Sequence, residues 1–202
     1  MATYTTIGLC NHALVLCGAS PITSLTQDTP NARALNAVFE NARKGFLTEC
    51  RWTFALTRSS LATSATVMAW LHDEESYVFD RPSGALRVWE VSDIEAIWRE
   101  EGNYIISNTA SLGTLYTVDH SEVGLWRPKA IIAFMDKLCS DICFMILNSG
   151  TKAQAFLEKY QKVSLPAAMA EESQTGTHQQ VQDDAWLKSK FGDGGNPTRS
   201  YS

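Results

Sequence analysis

Between Pro128 and Leu147, apolar side chains fall at Ile131, Phe134, Met135, Leu138, Ile142, Met145 and Ile146, the spacing of one wide helical face. A stripe this broad is buried only when several elements pack on it, so it predicts a long helix over about 128–148 at the centre of a helical core. Proline suits the first turn, where its missing N–H is not needed, and Asn148-Ser149-Gly150 supplies the stop. The same stretch is not a membrane span. Asp136, Lys137 and Asp141 interrupt it, and charges at those depths are costly in a bilayer.

Other helices follow from the same periodicity. Thr6 is the expected cap of a helix over about 6–18 that carries Ile7, Leu9, Ala13, Leu14 and Cys17 and stops at Gly18. Thr29-Pro30 opens a second over about 29–51, with Leu35, Val38, Phe39, Ala42 and Phe46 on one face. Thr151 and Gln154 stand at capping-box spacing before a last helix over about 151–172, which Pro166 should kink or split. Between the second and third helices, Ser59 to Thr66 reads as a loop. Tyr77-Val78-Phe79, Leu86 to Val91, Tyr104-Ile105-Ile106 and Leu115 to Val118 read as a small antiparallel meander over about 77–118. The expected fold is mainly α, a helical bundle with a small inserted antiparallel β-region and an extended C-terminal tail. Its domain covers 1–172 and its extension 173–202.

Charge and cysteine usage narrow the function. A formal charge of −5 argues against a sequence-independent grip on DNA, which needs Lys and Arg to displace phosphate counterions. The N-terminus has no basic n-region, and Ala13 to Cys17 is too short for the apolar part of a secretion signal. Five cysteines are an odd number for a disulfide framework. Cys10 with Cys17 and Cys139 with Cys143 repeat on helical faces as small buried hydrophobes. Neither they nor His12, His72, His120 and His178 have metal-ligand spacing, so no metal or cofactor is expected.

No catalytic signature stands out. Asp119-His120-Ser121 holds three catalytic residue types side by side, but triads converge in space, and chain neighbours do not converge on one substrate. Phosphate-binding and dinucleotide-binding glycine loops, the nucleophile elbow and the zinc helix are all missing. Asp73, Glu74, Glu75, Glu100 and Glu101 supply the one enzymatic alternative, a small carboxylate-based glycan hydrolase.

The segment Leu14 to Leu25, LVLCGASPITSL, resembles the opening of bacteriophage head-to-tail adaptors, including the tail tubular protein A group. Further matches keep the family's order: the helix Ala32 to Leu47, Trp52-Thr53-Phe54-Ala55 with Arg58 and Leu61, then Tyr77 to Pro82, Leu86-Arg87-Val88 and Glu90-Val91. The likeness spans about residues 7–172. It departs at Arg81 and Ser83-Gly84, where the family more often has an apolar–proline turn, and at Pro166. The resemblance implies a non-enzymatic virion protein at the head–tail junction, assembled in the host cytoplasm. It would form a homo-oligomeric ring of 12 copies between the portal protein and a distal tail protein, with DNA passing through the lumen unheld. Val181, Trp186, Leu187 and Phe191 are apolar anchors in an otherwise polar extension and are the expected portal-docking residues. Trp70, Trp89, Trp98 and Trp126 are the expected subunit-interface residues, since six tryptophans exceed what one modest core needs.

Overall fold

The helical layer consists of α1 (Thr6–Cys17), α2 (Pro30–Glu49), α3 (Pro128–Leu147) and a composite last run. That run is α4 (Gly150–Lys159), a π-helical turn (Tyr160–Ser164) and α5 (Leu165–Ser173). The computed structural model describes residues 4–175 except 67, 69, 73 and 74. α3 is the core helix: Ile131, Phe134, Met135, Leu138 and Ile142 are buried, while the stripe fades at Met145, which is exposed. Leu9, Leu14 and Cys17 of α1 and Leu35, Phe39 and Phe46 of α2 close over it. Each such large side chain contributes about 1.5–3 kcal/mol when taken out of water.

Helix ends depart from expectation where two capping residues compete. Thr5, not Thr6, caps α1. Its backbone is extended and its Oγ1 accepts the Gly8 N–H at 3.0 Å. Gly18 ends the helix in the left-handed region at φ 85°, with the Ala19 N–H reaching back to the Leu14 carbonyl at 2.8 Å. Thr29 caps α2, which stops at Glu49 because Cys50 is already extended. Ser149 rather than Thr151 caps α4, accepting the Lys152 N–H at 3.4 Å. Pro166 does not split the last run, which is helical from Gly150 to Ser173. A proline ring crowds the carbonyl four residues back, and the π turn, in which the Leu165 N–H reaches the Tyr160 carbonyl, widens the backbone just ahead of it.

The mainly-α expectation is wrong; this is a mixed α and β fold. Among the described residues six strands, β1 (Leu56–Ser60), β2 (Tyr77–Asp80), β3 (Ala85–Val91), β4 (Trp98–Glu101), β5 (Tyr104–Ser107) and β6 (Gly113–Val118), form two antiparallel sheets ordered β1-β6-β3 and β2-β5-β4. This is neither one small sheet nor a meander. β1 begins 21 residues before the expected boundary at 77 and pairs with β6, Leu56 opposite Thr117 and Ser60 opposite Gly113. Its sequence, LTRSS, holds a single apolar residue, so the partner far along the chain makes the strand and local pattern does not. The first two residues of the expected loop Ser59 to Thr66 therefore belong to a strand, and Thr63 bridges Phe79. The sheets face each other across a second core of Phe79, Ala85, Val88, Ile105, Leu112 and Tyr116. That core makes the β-region a layer in its own right.

Candidate assembly surfaces

Bundle, β-sandwich and C-terminal helix converge on the short segment after α2. Trp52 is fully buried, donates from Nε1 to the Phe46 carbonyl at 2.8 Å and stacks on the Phe46 ring at 4.6 Å. Phe46, Phe54 and Phe134 in turn surround Trp126, with ring centroids 5.3–5.6 Å from it. Beside this cluster the buried Glu172 carboxylate accepts the Thr53 N–H at 2.9 Å and pairs with Arg127 at 3.0 Å. The last turn of α5 is thereby fixed to both the start of the sandwich and the start of α3.

Two polar clamps attach the sandwich to α2. Arg43, 2% exposed, pairs with Asp119, where the chain returns from β6, and with Glu40 at 2.6 Å. Burial opposes the guanidinium charge, but the hydrogen bonds it donates to the Asp119 and Glu40 carboxylates outweigh it and raise the pKa. The second clamp is Trp89, whose Nε1 donates to Thr117 Oγ1 at 2.7 Å while Arg87 and Arg51 lie over its ring at 3.9 and 5.4 Å. Arg87 also donates to the Thr48 carbonyl at the end of α2, at 2.8 Å.

The four tryptophans expected at a subunit interface are not brought together. Trp126 is buried inside the chain's own core, Trp98 packs half-buried against the intersheet core, and Trp89 has the guanidinium groups of Arg87 and Arg51 over its ring. Trp70 is the exception, at 67% exposure, with His72 edge-on 5.0 Å away. Val181, Trp186, Leu187 and Phe191 lie outside the described residues, as do Asp73 and Glu74. The remaining acids of the hydrolase alternative are engaged by arginines: Glu75 with Arg99 at 2.8 Å, Glu101 with Arg99 at 3.1 Å, and Glu100 with Arg81 at 2.5 Å. Asp119 is spent on Arg43, and His120 packs toward Phe54.

Sequence reasoning missed an exposed pair of features on the sandwich. Ile94, in the β3–β4 loop, is 98% exposed, and a groove of about 520 Å³ crosses β1, β6 and β3. Neither leaves a periodic signal, because one is a lone loop residue and the other exists only after nonlocal strand pairing. No protein-family model matches the chain, and no curated protein matches it either.

The cysteines give a direct prediction. Cys10, Cys17, Cys139 and Cys143 are buried and Cys50 is half-buried. Burial pushes the Cys10 and Cys143 thiols up to about 12 from an ordinary 9.0. Thiolate is the reactive form, so an aromatic disulfide reagent at neutral pH should label the native chain slowly and all five thiols rapidly only in denaturant. The unfolded thiols ionise first. Their contribution to stability is therefore complete below pH 9 and is lost as the pH climbs from there toward 12. Fast labelling of four or more thiols in the native chain would contradict the packing described.

Proposed function

We propose that this chain is a structural, non-enzymatic subunit of a phage head-to-tail adaptor. Copies of it form a ring, of 12 by the resemblance, that docks beneath the portal protein, extends the DNA channel and receives a distal tail protein. The observation that carries the reading is the joint at Trp52-Thr53-Phe54. The motif behind the resemblance is the place where bundle, sandwich and the end of α5 are tied, through Trp52, Thr53 and Glu172. A subunit that must hold two layers and a C-terminal extension in fixed relation needs such a joint. The extension then starts from a constrained point, next to Thr175.

The acidic balance supports a conduit role, since carboxylates lining a channel repel phosphate and keep a passing duplex from sticking. The purified chain should therefore fail to retain duplex DNA at physiological salt. Mixed with the portal protein of its phage, it should give a large symmetric particle by light scattering and electron microscopy, with Asp and Glu prevailing over Lys and Arg on the lumen wall. A chain that binds no portal overturns the proposal, and a lumen dominated by Lys and Arg overturns the conduit argument.

A further inference from the structure

The strands of the first sheet leave the bundle at Leu56 and return at Val118, so Ser60, Gly113 and the β3–β4 loop lie at the sheet's far end. That loop is braced for its length. Asp93 Oδ1 accepts the Glu95 N–H at 3.0 Å, Asp93 Oδ2 accepts Thr109 Oγ1 at 3.3 Å, and Asn108 Oδ1 accepts the Ile97 N–H at 3.0 Å. A fixed loop thus presents Ile94 almost entirely to solvent, with Ile97 half-exposed behind it and the carboxylates of Asp93 and Glu95 on either side. An aliphatic side chain held out by a rigid turn has lost little freedom still to lose on binding.

The groove has the opposite character. Arg58, Leu115 and Glu90 form one row across β1, β6 and β3, on the face turned away from the second sheet, since their neighbours Val88 and Tyr116 point into the intersheet core. Leu115 is the apolar floor, and Ser59, Ser60, Val91, Ser92, Gly113 and Thr114 line the rest. A Cβ at Gly113 would come within 3.3 Å of Ser92, so the depth there depends on glycine. Glu90 is paired with Arg51, whereas the Arg58 guanidinium has no ion pair or hydrogen bond among the described residues. The charge left unspent in the groove is therefore positive. Ile94, being 98% exposed, does not sit in the groove of its own chain.

We propose that the Ile94 loop of one copy seats in the Arg58–Leu115 groove of the next. The knob is apolar with acidic shoulders, and the socket has an apolar floor and a free guanidinium. Two different patches of one chain make a head-to-tail contact, the class that closes into rings when the rotation allows. The inference deepens the ring reading above and rests on it for closure.

Sedimentation equilibrium of the full chain over a range of concentrations tests the contact without any portal. Reversible self-association is expected. Ile94→Asp and Arg58→Glu should each weaken it about tenfold or more, as loss of an interface anchor does. Both sites are solvent-facing, so circular dichroism and melting should be unchanged. A double variant carrying Arg58→Glu with Glu95→Arg should restore association, because the charges are exchanged across the contact. Association that is absent in the wild type, unaltered in either single variant, or not restored in the double variant overturns the inference. Portal binding is measured separately. A chain that still forms particles on the portal while these variants change nothing loses only this contact, and one that self-associates as described but binds no portal loses only the adaptor reading.

Discussion

Trp52→Ala should cost about 3–5 kcal/mol, the range for truncating a large aromatic residue in a well-packed core. Trp52 has no exposed surface, stacks on Phe46, and lies 5.9 Å from the Phe54 ring. Truncation also leaves the Phe46 carbonyl without its indole donor, and a buried acceptor left unpaired adds to the cavity cost. Domains of this size are stable by about 5–15 kcal/mol, so the variant should be marginal. Urea denaturation should show a large fall in midpoint. Trp52→Phe helps to separate the two contributions, since it keeps a ring in the stack while removing the hydrogen bond and part of the ring volume; about 1–2 kcal/mol is expected for the hydrogen bond, with some added loss from the smaller ring. A loss below about 1 kcal/mol for the alanine variant would show that Trp52 is not the pivot of the joint.

Buried apolar periodicity made the helices legible. The faces of α2 and α3 were readable as stripes because helix burial repeats within the helix itself. Thr29-Pro30 and Gly18 were readable because capping and left-handed geometry restrict residue choice. Adjacent capping residues were harder. Thr5 and Thr6 differ in backbone conformation and not in chemistry, and a one-residue offset decides which side chain reaches the Gly8 N–H.

The β-layer was only half legible, and the reason lies in strand pairing. β2 and β5 carry apolar residues at Phe79, Ile105 and Ile106, enough to mark them as strands. β1 does not, and without it the first sheet cannot be ordered. β3 pairs with β6 and β2 with β5, which skips neighbours in sequence and defeats the meander expectation. The tryptophans mislead for a related reason: composition counts them but does not say which are spent inside. Trp126 is consumed by the aromatic cluster and Trp89 by Arg87 and Arg51, whereas Ile94, inconspicuous in the sequence, faces solvent almost completely. Glu172 was passed over because a lone acid near a helix end reads as solvated. Its burial depends on Thr53 and Arg127 arriving from elsewhere.

Deleting residues from Gly176 onward should leave the fold intact and abolish portal binding. α5 ends at Ser173, with the Gln174 and Thr175 N–H groups bonded to Glu171 and Glu172 carbonyls at 3.3 and 3.2 Å, so a cut after Thr175 preserves the last turn and the Glu172 clamp. Helical content and urea midpoint should match the full chain. The deleted stretch places Val181, Trp186, Leu187 and Phe191 among Gln, Asp and Lys, the pattern of a segment that binds through a few large apolar anchors. Trp186→Ala alone should then cost a few kcal/mol of affinity for the portal, about 2 kcal/mol or more if its indole fills a pocket. Isothermal titration of the full chain, the truncated chain and the Trp186 variant into the portal protein separates the possibilities. A truncated chain that binds with undiminished affinity would move the portal contact onto the bundle, where Phe144 and Met145 at the end of α3 and Val15 and Leu16 at the end of α1 are among the exposed apolar residues available to make it.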